Sequence, residues 1–209
     1  MISTKDCSLL PDRKSLETIG KAISVLDAII SQEWQYRYYS FSSKWSTDER
    51  CLQMRNGSGE EMLVLFRDNG CVINGFAHEF EKKDKAALTH NLPAMFNDFI
   101  FGEPVTSIGT TFCLWTTELK NWQVGQLENF DDNSEEMLNI FDGQPATYVD
   151  WATDYFEQSG IPLDTVKKIY DGQPLTKGMV LSIVDELEDW EQLEKDMIAI
   201  DYPYNFKGN

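Results

Sequence analysis

Between Ser15 and Ser31 apolar residues return every three or four positions, at Leu16, Ile19, Ile23, Leu26 and Ile30. That spacing lines one face of a 3.6-residue turn and predicts an amphipathic helix over 15–31. Ser15 carries the side chain of an N-cap. Glu17 puts a negative charge in the first turn, near the positive end of the helix dipole.

From Trp34 the pattern becomes that of strands. Trp34–Phe41 is rich in aromatic residues, with Tyr36, Tyr38 and Tyr39, and reads as a strand. Cys51–Arg55 and Met62–Phe66 flank Asn56-Gly57-Ser58-Gly59, residues that accept positive φ, and this predicts a hairpin. Met62–Phe66 and Cys71–Phe76 flank Asp68-Asn69-Gly70, a second hairpin. Every residue from Met62 to Phe66 is apolar, as expected of a central strand covered on both faces. A second helix is expected within Ala86–Phe101, where Leu92, Met95, Phe96, Phe99 and Ile100 form a stripe and Pro93 suits a first turn. Thr110–Thr117 and Trp122–Leu127 read as a last hairpin, for an antiparallel sheet of about five or six strands.

From Ser134 onward the chain reads as short helices only. It contains one internal echo: Ile140-Phe141-Asp142-Gly143-Gln144-Pro145 resembles Ile169-Tyr170-Asp171-Gly172-Gln173-Pro174. The physics of this pattern is that of a helix joint. Glycine supplies a left-handed cap, and proline blocks continuation while suiting the start of the next helix. Leu187, Trp190, Leu193, Met197 and Ile200 predict a last helix over Trp190–Ile200, ahead of Pro203, with a tail from Asp201 to Asn209 expected to fray or pack loosely. The fold class expected is therefore α+β: an antiparallel sheet, an N-terminal helix and a C-terminal cluster of short helices. A single domain over 1–209 is expected, with the helical subregion 131–209 packed on the helix and sheet of 1–130.

Charge divides the chain in the same place. Of a net charge of −17, residues 126–209 contribute 19 acids against 5 lysines and no arginine, whereas residues 1–125 are nearly balanced. Binding to nucleic acid requires lysine and arginine to neutralise phosphates, so nucleic acid is not an expected partner, and neither is an anionic membrane surface. No run approaches the ~18 apolar residues of a membrane span, and the start of the chain lacks the apolar stretch of a secretory signal. A cytoplasmic location is expected. Cys7, Cys51, Cys71 and Cys113 form no CxxC pair and read as reduced, three of them as small hydrophobes among strand-like neighbours.

Candidate chemistry is sparse. Zinc needs three or four ligands at tight spacing, and nothing near His78, Glu79 or His90 completes such a set, so no metal and no cofactor is expected. Asn56-Gly57-Ser58-Gly59 is followed by Glu60-Glu61 and a strand, not by the GKS or GKT and helix of a phosphate loop. There is no GxSxG elbow, and no catalytic residue is assigned. The acidic run Asp185-Glu186-Leu187-Glu188-Asp189 lacks the spacing and central glycine of a calcium loop and reads as a solvated helix junction. Arg37, Arg50, Arg55 and Arg67 fall in or beside the strands. Three roles are open to them: converging on an anionic ligand, pairing with acids such as Glu60 and Glu61 on the wet face of the sheet, and, the preferred one, docking the acidic helical part onto the sheet.

The stretch Met54-Arg55-Asn56-Gly57-Ser58-Gly59-Glu60, followed by Leu65-Phe66, Gly70 and Asn74-Gly75-Phe76-Ala77-His78-Glu79, resembles a family of bacterial hypothetical cytosolic proteins. Phe112-Cys113-Leu114-Trp115 and Asp142-Gly143-Gln144-Pro145 fit the same pattern, which covers most of the chain. The resemblance implies a cytosolic bacterial origin and no activity. Ala77 stands where that pattern would carry an acid, which weakens a carboxylate role beside His78.

Two functions follow. The first is an acidic, non-enzymatic binding protein that meets a basic partner, as an immunity protein covers a toxin or a nucleic-acid mimic covers a basic groove. Its surface would be Asp185, Glu186, Glu188, Asp189 and Glu191 with Trp190 as anchor. The alternative is a hydrolytic enzyme using carboxylates and His78, which requires a pocket joining His78, Glu79 and Arg55.

Overall fold

The structure, a computed structural model, describes residues 1–80, 84–118, 121–126 and 131–207. Helix α1 spans Arg13–Ile30, beginning two residues before the expected start. The N-cap is Asp12, not Ser15: its carboxylate accepts from the N–H groups of Lys14 and Ser15 and from the Ser15 hydroxyl. A carboxylate can take all three donors at once, which a serine hydroxyl cannot.

After α1 the chain makes a 3-10 turn at Trp34–Tyr36, so of the expected 34–41 strand only Tyr39–Phe41 is strand. The cause is Arg37. Its guanidinium donates to the Ser31 and Gln32 carbonyls just past α1 and holds the chain in a turn there.

The sheet follows as a meander of β1 (Tyr39–Ser46), β2 (Glu49–Arg55), β3 (Glu61–Arg67), β4 (Gly70–Phe76), β5 (Phe112–Thr116) and β6 (Gln123–Val124), all antiparallel and in chain order. Both glycine-containing hairpins form as expected. The pairing register produces two opposed rows of side chains. Phe41, Leu52, Val64, Ile73 and Leu114 are successive partners and belong to the larger core, against α1 and the C-terminal helices. Cys51, Leu65, Val72 and Trp115 are the neighbouring row and face the opposite layer. Strand β3 is thus covered on both sides, which accounts for its unbroken apolar run.

That second layer is not the continuous helix expected over 86–101. It is built from α2 (Lys85–Leu88), a 3-10 turn at Ala94–Phe96, α3 (Asn97–Ile100) and α4 (Val105–Ile108). Asn91 is left-handed at φ 67°, and Pro93, which has no N–H to donate, is extended. The stripe still buries Phe96, Phe99 and Ile100, but from separate short turns.

The C-terminal part contains α5 (Ser134–Leu138), α6 (Pro145–Tyr155), α7 (Leu163–Tyr170), a two-residue strand β7 (Leu175–Thr176), α8 (Lys177–Ile183), α9 (Trp190–Ile200) and β8 (Tyr204–Asn205). The last helix has the expected bounds. The first Asp-Gly-Gln-Pro copy is a helix joint, with Gly143 at φ 77° and Pro145 opening α6. The second departs from that pattern. Gly172 is also left-handed, but Pro174 leads into β7, and α8 begins at Lys177 under a Thr176 cap. The tail is packed through Asn205, and Gly208 and Asn209 lie outside the described residues. Tyr202 is buried and donates to the Ile169 and Gln173 carbonyls, and β8 pairs in parallel with β7. Residues from both parts of the chain share one core cluster.

Of the four arginines expected to dock the acidic part, Arg37 does so. Its guanidinium is 4% exposed and bonds Asp196 of α9 at 2.6 Å. The other three are placed differently: Arg50 pairs with Glu17 of α1 and with Asp68, Arg67 with Glu49 on its own sheet, and Arg55 with no acid among the described residues. Arg50 and Arg67 find carboxylates on α1 and on the sheet itself, whereas Arg37 lies at the junction with α9.

One carboxyl lies wholly inside this core. Asp27 of α1 accepts from the Tyr39 N–H at 2.7 Å and from the Tyr148 hydroxyl at 2.8 Å. Burial pushes its pKa up to about 7, against the lowering effect of those two bonds and of the Arg37 charge. Cys51, Cys71 and Cys113 are buried free thiols, and burial raises all three; Cys113 reaches about 12. Such thiols are not nucleophiles. No helix among the described residues is long and apolar enough to cross a membrane.

Candidate functional site

The 3-10 turn after α1 is held by its backbone and by Arg37, not by burial of its rings. Trp34 is therefore 53% exposed and Tyr36 63% exposed. Facing the turn is the β2–β3 hairpin loop. Its shape is set by Asn56, whose Oδ1 accepts from the N–H groups of Ser58 and Glu60, and by Gly57 and Gly59 at φ 75° and 115°. The third wall is the end of α6. There Tyr155, 40% exposed, stacks on Trp151 with centroids 5.2 Å apart and lies edge-on to Tyr38. These walls enclose a cleft of about 900 Å³, lined by Tyr36, Arg37, Arg55, Glu60, Glu61, Tyr155 and Phe156 among others.

A shallower depression of about 310 Å³ adjoins it and shares Ile30, Ser31 and Tyr36. Glu33, Glu186 and Glu188 line this second hollow, so Tyr36 stands on the ridge between two acidic concavities. Five carboxylates line the two hollows, Glu33, Glu60, Glu61, Glu186 and Glu188, of which Glu60 is already held by His78 and Asn56. Glu186 and Glu188 are exposed and have no ion-pair partner among the described residues. Of the two arginines in the cleft, Arg37 is committed to Asp196. Arg55 lies 3.7 Å from the centroid of the Trp34 ring and donates to the Trp34 carbonyl. Its partial burial lowers its pKa, chiefly by desolvation.

The residues expected to bind a partner do not form one patch. Asp185, Glu186, Glu188, Asp189 and Glu191 are all exposed, but only Glu186 and Glu188 line the double hollow. Asp189 is used structurally: it caps α9 through the Gln192 N–H and is clamped to Gln32 by two further hydrogen bonds. Trp190 is not a free anchor. It is half-buried, packs edge-on against Phe206 and lies under the Lys177 ammonium, and with Glu191 it lines a separate hollow of about 470 Å³.

The alternative site is divided as well. His78 and Glu79 line a cavity of about 370 Å³ with Glu60, Ser58 and Glu136, but Arg55 is on the far side of Glu60, in the larger cleft. His78 Nδ1 is 2.9 Å from Glu60 Oε1, and its Nε2 is 4.0 Å from Glu79. A carboxylate thus orients the imidazole. No hydrogen bond joins Ser58 to it, so the base lacks the adjacent nucleophile that covalent hydrolysis needs. Among the described residues no group of three histidine, cysteine or acidic side chains is placed to hold a metal.

Sequence reasoning missed Trp34, Tyr36 and Tyr155 as surface residues. The aromatic run 34–39 was the available signal, but in a strand those rings would alternate into the core. No protein-family model, no curated protein and no solved structure matches the chain.

Proposed function

We propose that the protein is a cytoplasmic, non-enzymatic binding protein of the immunity or inhibitor kind, and that its partner is basic. One observation carries this reading: five carboxylates line two adjoining hollows whose shared ridge and rims are exposed aromatic rings. Aromatic rings contribute binding area at little entropic cost and attract cations through their faces, while carboxylates select for lysine and arginine. The strong negative field of the chain speeds encounter with such a partner. The face is concave, which suits projecting cationic side chains better than a flat basic surface.

The test holds net charge constant. A fluorescent oligo-arginine peptide is titrated against the wild type and two triple variants by anisotropy at several salt concentrations. The site variant carries Glu33→Lys, Glu186→Lys and Glu188→Lys. The control carries Asp98→Lys, Glu135→Lys and Asp150→Lys, all exposed and outside the hollows. Site reversal weakens binding at least about tenfold and control reversal less than about threefold, with both screened by salt. Equal losses in the two variants mean that net charge alone attracts the peptide, and refute the site.

A further inference from the structure

The carboxylates account for a cationic partner but not for Arg55. In a chain with 35 acids, Arg37, Arg50 and Arg67 each hold a carboxylate. Arg55 lines the cleft of about 900 Å³ and holds none among the described residues, although Glu61 is its cross-strand neighbour. Its guanidinium lies against the Trp34 ring, one N–H is spent on the Trp34 carbonyl, and the buried Nε has no acceptor. A guanidinium fixed against an indole is weakly hydrated and already oriented, and its remaining Nη N–H groups can donate to a carboxylate.

The neighbouring charges restrict which anion fits. Glu60 and Glu61 line the same cleft, and a phosphate dianion would be repelled by both. The Glu60 oxygens are already held by His78 and Asn56, so a ligand that brings one carboxylate together with a cation satisfies Arg55 and Glu61 at once. The cleft of about 900 Å³ has room for the end of a peptide, and its Tyr36 and Tyr155 rings can flank an extended side chain.

We propose that the cleft receives the C-terminal residue of the basic partner, its terminal carboxylate on Arg55 and its lysine or arginine side chain directed at Glu61. This rests on the reading of the face as a site for a cationic partner and adds that a chain end, not an internal loop, occupies it.

The full chain, 15N-labelled, is titrated with acetyl-Gly-Gly-Arg as the free acid and as the C-terminal amide, and with acetyl-Gly-Gly-Leu as the free acid. The arginine free acid binds at least about tenfold more tightly than its amide. It also binds more tightly than the leucine peptide, and it shifts resonances of residues 34–37 and 55–61. Arg55→Gln abolishes the acid-over-amide preference, while Arg55→Lys, which keeps the charge but not the fork, retains part of it. The wild-type acid-to-amide comparison does not depend on any variant folding. Equal binding of acid and amide in the cleft overturns the chain-end proposal and leaves the basic partner standing. Binding of neither peptide, together with unselective oligo-arginine binding, overturns both.

Discussion

Asp27 makes stability depend on pH in a direction opposite to that of most carboxylates. Its pKa rises from 3.8 to about 7 because burial penalises the charged form. The native state therefore holds a proton that the unfolded chain has released. The stabilisation is fully present below pH 3.8, declines as pH rises and is lost above about 7. At about 1.4 kcal/mol per pKa unit the whole effect is about 4 kcal/mol, of which about 3 kcal/mol disappears between pH 5 and 8. Asp27→Asn removes the titration and keeps the shape. An asparagine can accept from the Tyr39 N–H and donate to the Tyr148 oxygen, the arrangement the protonated acid also permits. Urea unfolding of both proteins at pH 5, 6, 7 and 8 isolates this one group, since every other titration is common to them. The stability of the wild type relative to Asp27→Asn should fall by about 3 kcal/mol over that range, or by roughly 6–12 °C in melting temperature for a chain of this size. A difference that stays flat across the range refutes the assignment of a buried protonated acid.

Other consequences concern packing at the junctions that position the cleft. Arg37→Met leaves Asp196 and the Ser31 and Gln32 carbonyls without their donor, and should cost about 3–5 kcal/mol in urea unfolding. A loss below about 1 kcal/mol would show that the buried pair does not anchor the turn. A Cβ on Gly75 would sit 2.0 Å from the Phe112 ring, so Gly75→Ala should destabilise by about 3 kcal/mol or more. Phe112→Leu in the same chain should recover part of that loss; a double variant no better than Gly75→Ala means the clash lies elsewhere.

Much of the sheet was legible because period-two patterns and glycine turns act locally. The two hairpins around β3 follow from Asn56–Gly59 and Asp68–Gly70, and the unbroken apolar run of β3 correctly implied cover on both faces. The bounds of α9 were legible for the same reason, since its apolar stripe ends at a proline-containing segment. What could not be read depended on distant partners. The 34–36 turn is set by Arg37 reaching carbonyls and Asp196, 159 residues away. The order of the tail depends on Tyr202 finding carbonyls after α7. Acidic residues were legible as a charge excess, but their use was not: Asp189 caps a helix, whereas Glu186 and Glu188 face a hollow. Asp189, next to Glu188 and three residues from Glu186, differs from both only in its place just before the α9 stripe, the position of an N-cap.

The central claim is tested most directly by locating bound oligo-arginine on the protein. A 15N–1H footprint at moderate salt should place the shifts at residues 30–37, 55–61, 155–158 and 184–188, and Tyr36→Ala should weaken binding at least about fivefold. Shifts distributed over the exposed acids of α5 and α9, with Tyr36→Ala without effect, would contradict the account.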